Sequence, residues 1–111
     1  MNRPLVSILI LAITALARIA VADPTQDGIK VAQEWQFALA RTVNEIVKQG
    51  ERDPKKIAKL AIERTQTEEK KVRDAGKAMG VSAKEIDEST KRDRKDSLDE
   101  YIKDALSRVK K

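Results

Sequence analysis

The sequence predicts an all-α protein, an elongated three-helix hairpin or bundle that follows an N-terminal signal peptide helix. Three stretches carry apolar residues at steps of three and four, and each is bounded by residues that favour helix ends. No stretch shows the strict apolar–polar alternation of a half-buried strand. We therefore divide the chain into a leader, residues 1–22, and a single helical domain, residues 23–111.

The leader, MNRPLVSILILAITALARIAVA, has the three parts of a secretory signal peptide. Arg3 gives it a positive start, and residues 5–16 carry no charge. Ala20 and Ala22 then stand two apart, as the small residues of a signal-peptidase site do. A spanning helix needs about 20 apolar residues, whereas Arg18 interrupts this run. We therefore expect cleavage after Ala22.

Two alternatives to cleavage stay open. The leader could remain as an anchor, with the Arg18 side chain reaching the membrane interface. It could instead be a buried helix of a cytoplasmic protein, although no other segment is apolar enough to pack around it. We expect an exported protein of the bacterial periplasm or cell envelope, with membrane contact only through an uncleaved leader.

The first helix of the domain is predicted at about residues 25–49. Pro24 suits a first-turn position after Asp23, and Gly50 can end the helix. Apolar residues form one stripe, which we expect to face the core: Ala32, Trp35, Leu39, Val43 and Ile46.

Phe37 lies about 200° around this helix from Trp35, among polar residues. Because an aromatic residue in such a setting can mark a contact surface, Phe37, Arg41 and Lys48 are candidate partner-binding residues. The alternatives are that Phe37 is one of the single exposed apolar residues common on protein surfaces, or that the third helix covers it.

The second helix is predicted at about residues 54–79, from the Asp53 cap and Pro54 to Gly80. Glu68 interrupts its apolar stripe, and we expect this acid to lie at the bundle's edge or to pair with a cation from another helix. The members of the stripe are Ile57, Ala61, Thr65, Val72, Ala75 and Met79.

The third helix is predicted at about residues 83–109, with Ser82 and Glu85 at the spacing of a capping box. Its middle, ESTKRDRKDS, is polar and could be exposed, bent or frayed. The predicted bundle core is Trp35, Leu39, Val43, Ile46, Ile57, Val72, Met79, Ile86, Leu98 and Ile102.

Composition restricts the chemistry. The chain has no His and no Cys, which removes His- or Cys-ligated zinc and the common nucleophilic triads. Two carboxylates could act together as catalytic groups, but only Glu68 lies in an apolar stretch of the sequence. We therefore expect no catalytic residue, no metal and no cofactor.

Size and charge point to partners. Loss of Arg3 and Arg18 lowers the Lys and Arg count from 23 to 21 against 18 Asp and Glu, so the net charge falls from +5 to +3. A domain this small, without disulfides, buries little surface and often needs a partner or self-association. We expect a non-enzymatic protein that binds another protein or itself, such as an accessory component of an envelope secretion or conjugation system, or a chaperone-like binder.

The segment AMGVSAKEID resembles the turn region of helix-turn-helix DNA-binding proteins. A turn glycine, Gly80, is followed by Ser82 at the start of the next helix and by an apolar anchor, Ile86. The resemblance covers about ten residues and implies, as the alternative function, a DNA-binding regulator that uses residues 72–95. Gly76 stands where that pattern usually has Ala, and acids follow the turn. With the leader and the mixed charges, we expect no nucleic-acid partner.

Overall fold

A computed structural model describes residues 26–109 and confirms the all-α class. The described part contains four helices and no strand: α1 at Gln26–Lys48, α2 at Pro54–Arg64, α3 at Gln66–Ala78 and α4 at Ala83–Val109. The predicted signal helix and its cleavage residues, Ala20 and Ala22, lie outside the described residues.

Hydrogen bonds and ion pairs between helices show the relative directions of the helices in the bundle. Tyr101 bonds to Gln36 and Arg108 to Asn44, which are 65 and 64 residues apart, so α4 runs parallel to α1. On α3, Glu69 pairs with Arg94 and, further along, Arg73 pairs with Asp87, so α3 runs antiparallel to α4. The result is an up–down–up bundle with principal-axis extents of 46 × 26 × 18 Å.

The single helix predicted over residues 54–79 is divided into two helices, α2 and α3. Thr65 separates α2 from α3 with φ −116° and ψ 19°. Its hydroxyl donates to the carbonyl of Ala61 at 2.8 Å, while its backbone N–H turns to the carbonyl of Ile62 at 3.3 Å. A side-chain hydroxyl that occupies the i−4 carbonyl competes with the helical backbone bond and bends the helix.

The core lies along α1, which contacts each of the other three helices. Trp35 is 1% exposed and Leu39 is 0% exposed. Of the other predicted core residues, Met79 is only partly buried and Ile86 is buried outside the main cluster. The rest belong to that cluster: Val43, Ile46, Ile57, Val72, Leu98 and Ile102.

The polar middle of α4 is helical and four of its ten residues are buried, so this stretch is neither frayed nor fully exposed. Ser89, Thr90, Asp93 and Ser97 are all buried. The Thr90 hydroxyl donates to the carbonyl of Ile86 at 2.6 Å. Thr90 can face a packed helix because its hydroxyl bonds to its own backbone.

The corner between α3 and α4 depends on two glycines. Gly80 has φ +83°, a left-handed conformation that favours glycine. The N–H of Val81 bonds to the carbonyl of Gly76 and that of Gly80 to Lys77, both at 3.0 Å, which is the Schellman helix end. At Gly76 itself, an added Cβ would lie 3.0 Å from Cγ1 of Ile86. Glycine at this position therefore lets α4 approach α3 closely.

We predict that Gly76→Ala lowers the free energy of unfolding by about 1 kcal/mol in denaturant titrations. The overpacking cost of about 1–3 kcal/mol should exceed the gain of about 1 kcal/mol in helix propensity. The matched control is the same change in an Ile86→Ala background, where the contact is gone and Gly76→Ala should stabilise the protein. An equal effect in both backgrounds would contradict close packing between these residues.

Candidate functional site

The three candidate partner-binding residues lie on one outer stripe of α1. Phe37, Arg41 and Lys48 are exposed, with Asn44 between the last two at helical spacing. Phe37 is 43% exposed, so no described helix covers it completely. Trp35, two residues earlier, is 1% exposed. The stripe therefore presents one aromatic ring and two cations to solvent.

A groove of about 550 Å³ runs beside this stripe, between the C-terminal parts of α1 and α4. Arg41 and Lys48 line it, whereas Phe37 lies one turn before its start on α1. The apolar side chains of the groove are Val47, Ala105 and Val109. Val109 is 41% exposed, and it and Phe37 are the two large hydrophobic residues that the described part of the chain exposes.

Arg108 joins the two sides of the groove. Its Nη2 atom lies 2.7 Å from Oδ2 of Asp104 and 3.0 Å from Oδ1 of Asn44 on α1. Sequence reasoning did not assign Arg108 or Val109 to the site, because only the parallel packing of α4 on α1 brings them beside Arg41. The only signal in the sequence is the apolar step of four from Ala105 to Val109 near the end of the third helix.

The cations of the groove can stabilise the helix ends and can also bind an outside group. Lys48 and Arg108 lie in the last turns of their helices, where the negative end of the helix dipole stabilises positive charge. Arg41 and Lys48 form no ion pair with any described residue. Their charges are therefore available to an outside group.

A buried hydrogen bond fixes the helices behind the groove. The Tyr101 hydroxyl donates to Oε1 of Gln36 at 3.2 Å, and Gln36 is 0% exposed. Burial raises the pKa of Tyr101, so this phenol stays neutral. Three other buried polar atoms have no hydrogen-bond partner in the described part: Gln36 Nε2, Trp35 Nε1 and Ser97 Oγ.

The acid that pairs between helices is Glu69 and not Glu68. Glu69 lies 2.8 Å from Arg94 on α4 and 3.2 Å from Arg73, whereas Glu68 is half-buried and forms no ion pair within the described chain. The break at Thr65 restarts the helix, and the buried face of α3 then runs through Val72 and Gly76. The interruption in the predicted stripe therefore marked a change of helix.

The tight corner that resembles a helix-turn-helix turn is present, and its polar groups bond within the corner itself. Ser82 Oγ accepts the N–H of Glu85 at 3.2 Å. Asp87 pairs with Arg73 at 3.1 Å and with Lys91 at 3.0 Å, and these two cations hold the pKa of Asp87 below its usual value. Glu85 and Glu88 are exposed on the first turns of α4, where carboxylates would repel phosphates.

Over residues 26–109, no group of three or more acidic side chains is placed to hold a metal ion. None of the four described helices is long and apolar enough to cross a membrane.

We predict that Tyr101→Phe lowers the free energy of unfolding by about 1–3 kcal/mol, because the buried side-chain oxygen of Gln36, Oε1, loses its donor. Thermal or denaturant unfolding measures the change. The double variant Gln36→Met/Tyr101→Phe removes both partners at similar volume and should recover most of the loss. If the double variant is as unstable as the sum of its single changes, the hydrogen bond does not account for the effect.

Comparison with protein-family models, curated proteins and solved structures finds no match to this chain. The candidate surface therefore depends on the geometry of this chain alone: the exposed stripe of Phe37, Arg41 and Lys48 and the groove beside it.

Proposed function

We propose that the chain is a small exported, non-enzymatic helical protein of the bacterial periplasm or cell envelope that acts by binding another protein. The observation that carries this proposal is the exposed Phe37 on the same stripe as two unpaired cations, Arg41 and Lys48. Aromatic residues and arginine are enriched at protein–protein interfaces, because they combine large contact area with directional polar contacts.

The composition of the groove favours a specific protein–protein contact over non-specific binding. Its apolar side chains, Val47, Ala105 and Val109, are bordered by polar residues, namely Arg41, Asn44, Glu45, Lys48 and Arg108. An apolar centre with a polar rim is the usual composition of a specific interface. A holdase-like chaperone would need a broader apolar surface, so within this class we favour an accessory component of an envelope machine, such as a secretion or conjugation system.

The location is supported by the leader alone. Arg3, the uncharged residues 5–16 and the pair Ala20 and Ala22 have the order of a cleavable signal peptide. Cleavage after Ala22 would leave the domain that contains all four described helices.

The alternative function is DNA-binding regulation through residues 72–95. The observation that favours it is the tight corner at Gly80, with α3 and α4 on either side. Against it stand the exposed acids Glu85 and Glu88 and the leader.

Cell fractionation with mass spectrometry of the N-terminus separates the two functions. We predict a processed form that begins at Asp23 and is found in the periplasmic or envelope fraction. The matched control is Ala20→Leu/Ala22→Leu, which should block processing and leave Met1 in place. Unprocessed wild-type protein confined to the cytosol would contradict export and favour the regulator.

For the binding surface, we predict opposite behaviour of two neighbouring aromatic residues. Trp35→Ser should lower the free energy of unfolding by about 3–5 kcal/mol, because Trp35 is 1% exposed in the core. Phe37→Ser should change it by less than about 0.5 kcal/mol and should abolish recovery of the partner from crosslinked envelope fractions.

The matched surface control is Lys71→Ser, an exposed position on α3, which should change neither stability nor partner recovery. Full partner recovery by Phe37→Ser would contradict the proposed surface. A large loss of stability in Phe37→Ser would show that this ring packs in the core.

A further inference from the structure

The outer face of α2 carries lysines at the helix end that disfavours them. Lys55 and Lys56 stand in its first turn, Lys59 follows one turn later, and all three are exposed. The first turn contains no acid. Because the N-terminal end of a helix is the positive end of its dipole, and because Lys55 and Lys59 repel at i,i+4, this arrangement opposes helix stability.

The lysines are not neutralised within the described chain. None of the three forms an ion pair there. Asp53 uses its carboxylate to accept the backbone N–H of Lys55 at 3.0 Å, as the helix cap. Asp99, on the facing helix, pairs with Lys95 at 3.0 Å. These three lysines therefore contribute no ion pair that joins the described helices.

A second groove, of about 330 Å³, lies beside these lysines between α2 and α4. It shares no lining residue with the groove next to Arg41. Lys55 and Lys103 line it together with Asp99, whose charge Lys95 already compensates. Its apolar side chains are those of Pro54, Ala58, Ile102 and Leu106.

We propose that this groove is a second docking surface, which binds a carboxylate-rich amphipathic segment of a partner protein. An apolar side chain of that segment would occupy the space between Ala58 and Ile102, and its carboxylates would pair with Lys55, Lys59 and Lys103. The proposal extends the function proposed above, because the chain would then contact protein at two separate places.

A protein segment fits this face better than a lipid surface. A helix that binds a bilayer inserts a free apolar face between the headgroups. The most apolar side of α2 is not free, because Ile57 and Ala61 are 0% exposed and pack in the bundle core.

The test is binding of the full chain to a labelled synthetic amphipathic peptide of Glu, Ala and Leu, measured by fluorescence anisotropy. We expect binding that weakens several-fold as NaCl rises from about 0.05 to about 0.3 M. Lys55→Glu/Lys103→Glu, which reverses the two lysines that line the groove, should weaken it at least tenfold. The matched control, Lys30→Glu/Lys71→Glu, makes the same change in net charge at other exposed positions and should alter binding less than twofold.

Three results would overturn the proposal. They are equal affinity for a peptide in which every Glu is Gln, equal losses in the two double variants, and no binding of the acidic peptide. Binding to phosphatidylglycerol vesicles or duplex DNA that depends on Lys55 and Lys103, with none to the peptide, would overturn the proposal and assign the face to another class of partner. Phe37→Ser should leave peptide binding unchanged, so failure at this groove is distinguishable from failure of the Phe37 surface.

Discussion

The fold depends on covering one helix on most of its circumference with a small supply of apolar side chains. The α1 helix contacts every other helix, and Trp35, Leu39 and Val43 are at most 1% exposed. Since a domain of this size buries limited surface, each covering helix must present its few large apolar residues to α1. Rotation of a covering helix would turn these residues away and expose the apolar face of α1, so the orientation of each covering helix is restricted.

The interior combines this apolar cluster with a polar layer that constrains register. Tyr101 and Gln36 meet across the parallel pair α1 and α4, and Ser97 lies one turn before Tyr101. A neutral hydrogen bond in a dry interior adds modest net stability, but an offset of one residue would leave both groups unpaired. The polar inner face of α4 is therefore compatible with a unique packing, although it lacks the apolar stripe expected of a buried helix.

The two ends of the bundle differ in whether their charged side chains are paired within the described chain. Near the α3–α4 corner, Glu69, Arg73 and Asp87 are joined in one ion-pair network, which holds the two helices together. At the other end, Lys48 and Lys55 have no described ionic partner, and grooves with apolar side chains lie beside both. The corner is satisfied internally, whereas the opposite end offers unpaired charge next to accessible apolar surface, the combination that suits recognition of other proteins.

The sequence by itself determined the all-α class, the helix ends at Gly50 and Gly80 and the inward stripe of α1, because helix periodicity and capping are local properties. Only the tertiary structure decided that Thr65 divides the middle helix into α2 and α3 and that Glu69, not Glu68, pairs across helices. It also decided which polar residues of α4 are buried, namely Ser89, Thr90, Asp93 and Ser97. The outward face of Phe37 followed from spacing, whereas the grooves did not. They form between residues that are distant in the chain, and pairwise packing of helices cannot be read from the period of any single one.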